Sequence, residues 1–117
     1  IGLSPSGALT HTNHYVCAHM LGYEGDPDYA ARSAIRQRRA AALMDEATGT
    51  PGSVDTARLL EMLADHENMP DSLCRHPTDQ TTTKTVFWCI ADVTAGSITF
   101  GRGNPCASRP QNYSFAA

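Results

Sequence analysis

Two short stretches carry the side chains best suited to chemistry in this chain. The first is Thr10-His11-Thr12-Asn13-His14, and the second is Ser72-Leu73-Cys74-Arg75-His76. The amide nitrogen of Asn13 can donate hydrogen bonds to developing negative charge without being charged itself. The guanidinium of Arg75 combines a fixed positive charge with a planar fork that matches a carboxylate. Asn13 and Arg75 are therefore the first candidate site residues, with His14 and Ser72 as candidate supporting groups. The structural alternatives are a buried amide satisfied by backbone for Asn13 and a surface arginine before a turn for Arg75.

A metal site is the alternative chemistry for the first stretch, because histidine and cysteine are the usual ligands of zinc. If residues 8–20 form a strand, His11, Cys17 and His19 share one face, and His14 lies on the other. Alternate strand positions stand roughly 7 Å apart, and the close-paired ligand spacing of a zinc finger is absent. We therefore expect no metal and no cofactor, and elemental analysis would test the zinc alternative.

Composition bounds the partners of the chain. Hydrophobic residues make up 41% and charged residues 18%, which excludes gross disorder, and the net charge of −3 predicts no general attraction to nucleic acid. A set of arginines in the first predicted helix could suggest an RNA surface, but a solvated helix face fits the acidic total better. These are Arg32, Arg36, Arg38 and Arg39. No apolar run is long enough to cross a bilayer, so no membrane partner is expected.

The chain is long enough for one domain but not for two, so residues 1–117 are expected to belong to a single domain. It begins at Ile1 rather than at a methionine, and we expect an excerpt of a longer polypeptide. The first residues lack the pattern of a secretory signal. This favours a cytoplasmic protein, although the residues themselves assign no compartment.

Four cysteines allow either two disulfides, in any of three connectivities, or four free thiols. They are Cys17, Cys74, Cys89 and Cys106. Their spacing is wide and irregular, and Cys89 lies in an apolar Phe-Trp-Cys-Ile run where a thiol acts as a small hydrophobic side chain. We expect free thiols.

The elements that must position these residues begin with a strand over residues 8–20. Asp26 is a suitable N-cap and Pro27 a suitable first helical residue, and this helix should run to about Thr48. Ser53 can cap a second helix that ends near His66.

The rest of the chain reads as an irregular segment, a hairpin and a tail. Residues 68–83 lack periodicity, as functional or mobile segments do. Residues 85–93 and 97–102 are β-prone and predict a hairpin whose first strand is well buried. Residues 107–117 are expected to be a loop or tail.

Three pieces of the sequence, in their order and spacing, resemble the acyl-coenzyme A:6-aminopenicillanic acid acyltransferase family. They are Thr10-His11-Thr12-Asn13-His14, Ser72-Leu73-Cys74-Arg75-His76 and the hairpin region that ends in Gly103-Asn104-Pro105-Cys106. The resemblance covers roughly residues 8–106. This family contains the C45 autoproteolytic acyltransferases and hydrolases of the N-terminal-nucleophile (Ntn) superfamily.

The resemblance implies an α+β fold, in which this chain is an incomplete C-terminal portion of an Ntn αββα sandwich. It matches Asn13 to the oxyanion-hole asparagine and Arg75 to the arginine near the nucleophile, which would order the nucleophile end or bind a substrate carboxylate. His14 and Ser72 would support substrate binding. Removal of one oxyanion donor typically lowers turnover about 100- to 1000-fold.

The family's catalyst is a cysteine, freed by autoproteolysis, whose own α-amino group is the general base. That cysteine lies upstream of the matched region, so the implied partners are a small-molecule amide or acyl donor and the remainder of the same polypeptide. This chain alone is expected to be inert. The alternative is a non-catalytic module that binds a ligand or a partner on the same fold, favoured if the gene lacks the cysteine.

Overall fold

The computed structural model describes residues 7–115, which contain helices and one three-stranded antiparallel sheet. The α+β class is thereby confirmed. The chain divides into two compact units, Ile1–Ser53 and Val54–Ala117, and each is described by itself. Whether they belong to one domain, as expected above, stays a prediction. Within residues 7–115, no helix has both the length and the apolar character that a membrane span requires.

The first unit differs from the sequence prediction at its start. Residues 8–20 form no strand: an irregular segment is followed by a 3₁₀ helix over Ala18–Tyr23. A strand needs a neighbouring backbone to complete its hydrogen bonds, and no described segment supplies one. Thr12 and Asn13 instead bond to the helix that follows. The strand prediction was wrong because side-chain bonds to a helix replace the ladder.

Helix α1, Pro27–Thr48, follows the predicted bounds. Its N-cap is Asp26, whose Oδ1 accepts a hydrogen bond from the backbone N–H of Tyr29 at 3.0 Å. The buried residues of α1 are separated by three or four positions, or by about two helical turns. They therefore lie in one stripe along the helix. They are Ser33, Arg36, Leu43 and Ala47. The N-terminal half of this stripe is polar, and it is the half that holds Asn13.

Helix α2, Thr56–Leu63, opens the second unit and is shorter than predicted. Its N-cap is Asp55, which accepts a hydrogen bond from Arg58 N–H at 2.8 Å. Ser53 was wrongly assigned to this role, because its hydroxyl donates to the Ala47 and Thr50 carbonyls at the end of α1. After α2, residues 64–86 form turns and one isolated bridge, so the irregular segment predicted over residues 68–83 is confirmed and extends further at both ends.

The sheet consists of β1 (Phe87–Asp92), β2 (Ser97–Arg102) and β3 (Gln111–Ser114), paired in that order. The hairpin of β1 and β2 is confirmed, with Phe87 opposite Arg102 and Asp92 opposite Ser97. Residues 111–114 pair with β2, so the segment expected to be a loop or tail contains a strand. Its side chains are all exposed, which explains why no apolar pattern revealed it.

The two faces of the sheet differ. Trp88 and Ile90 are buried on the face near α2, and Gly101 lies opposite Trp88, where a Cβ atom would come within 2.7 Å of the indole. The other face stays open, with Phe87 55% and Tyr113 58% exposed. Cys89 lies on this open face, so the prediction of a well-buried β1 was wrong: only alternate residues of the strand are covered.

Candidate functional site

The side-chain amide of Asn13 has a defined orientation. Arg36 Nη2 donates a hydrogen bond to Asn13 Oδ1 at 3.0 Å. A guanidinium has no acceptor, so the amide oxygen must face Arg36 and the amide nitrogen must face away from it. Asn13 is exposed, and its Nδ2 group makes no hydrogen bond within residues 7–115. The amide therefore presents two N–H donors outward.

The main chain of Asn13 is held by the same helix. Ser33 is fully buried, and its Oγ accepts a hydrogen bond from the backbone N–H of Asn13 at 2.8 Å. The Ser33 hydroxyl also lies 3.0 Å from His14 Nδ1 and 3.0 Å from Thr12 Oγ1. Thr12 Oγ1 donates in turn to the Ser33 carbonyl at 2.9 Å. Backbone and side chain of Asn13 are thus fixed by two residues one helical turn apart, Ser33 and Arg36.

Arg36 is the residue that sequence analysis assigned wrongly in this region. It was placed on a solvated helix face, yet it is 5% exposed. Arg32 and Arg38 are exposed, as predicted. A buried guanidinium requires partners, and one partner of Arg36 is an amide 23 residues earlier in the chain. The spacing of Ser33 and Arg36 was the available signal, since it places two polar groups on the buried stripe of α1.

Arg75 lies in the second unit with its guanidinium largely covered. Its Nη2 lies 3.5 Å from Asp71 Oδ1, and the two side chains are 13% and 11% exposed. Within the described residues, the buried atoms Arg75 Nε and Asp71 Oδ1 have no hydrogen-bond partner. Unpaired donors of this kind are rare in buried positions. The Nε edge of the guanidinium therefore carries a donor that is unsatisfied and buried.

Three hydrogen bonds, two with Thr85 and one with Asn104, hold the backbone of Arg75. Its N–H donates to Thr85 Oγ1 at 3.0 Å, and its carbonyl accepts from Thr85 N–H at 2.9 Å and from Asn104 Nδ2 at 2.6 Å. Ser72 is buried, and its hydroxyl donates to the Cys74 carbonyl at 2.6 Å. Ser72 thus supports the loop in this structure, and its contact with substrate stays a prediction.

A thiol–imidazole cluster, consisting of His66, Cys74, His76 and Cys106, surrounds the same stretch. The ligand atoms of the four side chains all lie within 4.8 Å of one another. Cys74 is fully buried, whereas Cys106 and His66 are exposed. Desolvation, together with the hydrogen bond and charge of Cys74, raises the pKa of the Cys106 thiol above its usual value. All four cysteines are free thiols, as expected.

The sequence did not predict the thiol–imidazole cluster. The zinc site considered from the sequence consisted of other residues. Within residues 7–115, the only group of three or more potential ligands brought together is the thiol–imidazole cluster, which contains none of His11, Cys17 or His19. Its members are separated by up to 40 residues, so no short spacing could reveal it. The Cys-x-His arrangement of Cys74 and His76 was its only local signal.

Comparison with known proteins identifies a family. The family model described as acyl-coenzyme A:6-aminopenicillanic acid acyl-transferase matches residues 3–107, which is most of the chain. A search of curated proteins finds no similar sequence. The match includes both candidate stretches, residues 10–14 and 72–76, and also reaches Cys106.

Proposed function

We propose that this chain, which belongs to the acyl-coenzyme A:6-aminopenicillanic acid acyl-transferase family, is the C-terminal part of a cysteine-dependent Ntn enzyme. The enzyme hydrolyses a linear amide bond or transfers its acyl group to another amine. The observation that carries the proposal is the oriented amide of Asn13. It supplies what acyl transfer needs from this part of the protein, a fixed and uncharged donor.

Acyl transfer places negative charge on the carbonyl oxygen when a nucleophile adds to the carbon. In the proposed reaction the thiol of an upstream cysteine attacks the amide carbonyl, and its proton passes to the cysteine's own α-amino group. The Asn13 Nδ2 donors stabilise the resulting oxyanion. The C–N bond then breaks, the proton moves to the leaving amine, and a thioester remains on the enzyme. Water or a second amine attacks the thioester and releases the acid or the new amide.

The hydrogen bond from Arg36 to Asn13 contributes to stabilisation of the oxyanion in two ways. The charged bond from Arg36 to Oδ1 fixes the amide before reaction, so little reorganisation accompanies charge development. It also withdraws electron density from the amide oxygen, which makes the N–H groups better donors. His14, hydrogen-bonded to Ser33, lies beside Asn13 in the chain and is proposed to contact the substrate.

Arg75 is proposed to bind a carboxylate through the guanidinium edge that carries its unpartnered Nε; this atom is buried here, so binding requires neighbouring groups to move. Asp71 neutralises part of its charge but forms no hydrogen bond with it, and Arg75 Nε has no partner among residues 7–115. A carboxylate of substrate or enzyme would accept from Nε and one Nη together, which is the bidentate geometry that lysine cannot reproduce.

The open face of the sheet supports the proposal that more of the same polypeptide packs here. Phe87 and Phe100 have ring centroids 6.2 Å apart on this face, and Tyr113 lies on it opposite Ile98. Exposed apolar patches of this kind mark interaction surfaces. In an Ntn sandwich the second sheet would cover such a face, so the nucleophile-bearing part of the protein is its proposed occupant. The chain alone is accordingly proposed to be inactive.

The test is amide turnover by the complete protein carrying Asn13→Ala. We expect kcat to fall about 100- to 1000-fold, with KM changed far less, because the donor acts on the transition state. Asn112→Ala, an exposed asparagine of β3, is the matched control and should behave as wild type. Turnover of Asn13→Ala within a factor of two of wild type would refute the role of Asn13. A complete protein without any amide turnover would favour the binding module.

A further inference from the structure

The thiol–imidazole cluster brings together four side chains from three separate segments. His66 follows α2, Cys74 and His76 flank Arg75, and Cys106 lies in the turn after β2. The Sγ atoms of Cys74 and Cys106 are 3.6 Å apart, and the Nε2 atoms of His66 and His76 are 3.1 Å apart. His76 Nε2 is 3.5 Å from Cys74 Sγ and 3.3 Å from Cys106 Sγ.

These separations can be compared with the edges of a tetrahedron around a metal ion. Zinc bonds of about 2.3 Å to sulfur and about 2.05 Å to nitrogen give edges of about 3.8 Å between sulfurs, about 3.3 Å between nitrogens and about 3.6 Å between the two types. The four observed distances lie within about 0.3 Å of these values, and a tolerance of about 0.2 Å in the metal–ligand bonds corresponds to about 0.3 Å in an edge. Four of the six edges thus have the required size, and the two edges from His66 to the sulfurs are no longer than 4.8 Å.

The surroundings of the cluster also suit a metal with thiolate ligands. Asn104 Nδ2 lies 3.5 Å from Cys74 Sγ and also donates to the Arg75 carbonyl, so it links the sulfur to the loop. Cys74 N–H donates to the Asp65 carbonyl at 2.9 Å, and the Cys74 carbonyl accepts from Ser72 Oγ. Outer hydrogen bonds of this type orient ligands and increase metal affinity. Cys74 is thus fixed on its backbone and contacted at its sulfur.

We propose that His66, Cys74, His76 and Cys106 bind one zinc ion in a closed Cys2His2 site. Two thiolates and two neutral imidazoles in tetrahedral geometry select zinc over magnesium or calcium, which prefer oxygen ligands. All four positions are filled by protein, so the ion is structural and takes no part in the acyl chemistry. The exposed Cys106 and His66 give the ion a route of entry.

Two of the proposed zinc ligands, Cys74 and His76, are the residues on either side of Arg75. Through Cys106 the ion would also join this segment to the turn after β2. Because binding occurs only in the folded arrangement, it stabilises that arrangement. Whether the protein binds zinc does not depend on the proposed acyl transfer. An effect of zinc on turnover can be observed only if the proposed acyl transfer takes place.

The competing outcome is a disulfide between Cys74 and Cys106. Their sulfurs stand 3.6 Å apart, whereas a disulfide bond is about 2.05 Å long. Oxidation to a disulfide would remove two hydrogens and both thiolate ligands, so the two outcomes exclude each other in one molecule. Intact mass and metal content distinguish them.

The experiment uses the complete protein, purified anaerobically with a phosphine reductant, because thiol reductants bind zinc. Zinc is measured by inductively coupled plasma mass spectrometry after desalting, and the affinity is measured by competition with a chromogenic chelator. Cobalt substitution is the second measurement, because tetrahedral Co²⁺ with thiolate ligands has characteristic visible absorption. We expect one zinc per chain and the tetrahedral cobalt spectrum.

Two variants at proposed ligands and one control variant test the site. Cys106→Ser and His66→Asn alter exposed residues and should each weaken zinc binding more than 100-fold, beyond the roughly 10- to 100-fold loss typical of outer-shell changes. Cys89→Ser alters an exposed cysteine of β1 outside the cluster and should bind zinc as wild type does. Circular dichroism at the working temperature establishes that each variant is folded.

Wild-type protein that takes up no zinc when excess zinc is added, or whose zinc survives Cys106→Ser unchanged, would overturn the inference. An intact mass two hydrogens below that of the fully reduced chain, measured in buffer containing reductant and without bound metal, would overturn the inference in favour of the disulfide. Stoichiometric zinc in a protein without amide turnover would leave the metal site standing and count against the proposed function alone.

Discussion

Replacement of Arg36 by methionine tests how the Asn13 amide is positioned. The substitution keeps a long side chain in a position that is 5% exposed and removes the hydrogen bond to Asn13 Oδ1. A hydrogen bond to a charged group contributes about 1.5–3 kcal/mol. If that energy serves to hold the amide for the oxyanion, its loss lowers turnover about 10- to 100-fold, at about 1.4 kcal/mol per factor of ten.

The effect has an upper bound, because Arg36 would act only through Asn13. The loss of turnover in Arg36→Met must be smaller than the loss expected when the Asn13 donor is removed altogether, which is about 100- to 1000-fold. In the Asn13→Ala background, Arg36→Met should therefore cause almost no further loss. This double-mutant comparison separates a positioning residue from one that merely stabilises the fold.

The assay is release of p-nitroaniline from a panel of linear acyl p-nitroanilides by the complete protein, with kcat and KM determined separately. Arg38→Met is the matched control, since Arg38 lies on the same helix and is exposed. Thermal unfolding of each variant establishes that it is folded at the assay temperature. Full activity in Arg36→Met, or equal losses from Arg36→Met with and without Asn13, would refute the positioning role.

Three further predictions concern Arg75, the sheet and α1. Arg75→Lys keeps the charge and loses the planar fork, so we predict a rise in KM for carboxylate-bearing amides and none for uncharged ones; an equal change in KM for both classes would contradict binding of a substrate carboxylate. Gly101→Ala should lower the free energy of unfolding by about 1–3 kcal/mol in urea titration, because a Cβ would meet the Trp88 indole at 2.6 Å. Gly22→Ala, where nothing lies within 4 Å, is its control, and equal stability of the two would contradict the close packing. Asp26→Ala should cost about 0.5–2 kcal/mol through loss of the N-cap, whereas Asp26→Asn should retain most of it.

Local signals predicted the elements that depend on neighbouring residues. The Asp26 cap followed by Pro27 defined the start of α1, and the β-prone runs around a short turn defined the β1–β2 hairpin. Strand β3 was missed because its residues are polar and exposed, so its pairing with β2 left no apolar pattern. The strand expected over residues 8–20 failed because a ladder depends on a partner that local sequence cannot reveal.

The candidate site shows the same division between local and distant information. Asn13 and Arg75 were singled out from short stretches, and their roles stay predictions. The contacts that give them orientation were not predicted, because burial of Arg36 depends on a residue 23 positions earlier. Cys106 and Cys74 come together across 32 positions, and only the folded chain places their sulfurs 3.6 Å apart.

The most direct test of the central claim is the intact mass of the complete gene product, combined with sequencing of each N-terminus. The proposed Ntn mechanism predicts two polypeptides, with a cysteine at the new N-terminus of the one that contains Asn13 and Arg75. A single uncleaved chain, in a gene without a suitable upstream cysteine, would contradict the mechanism and leave a ligand- or partner-binding protein on this fold.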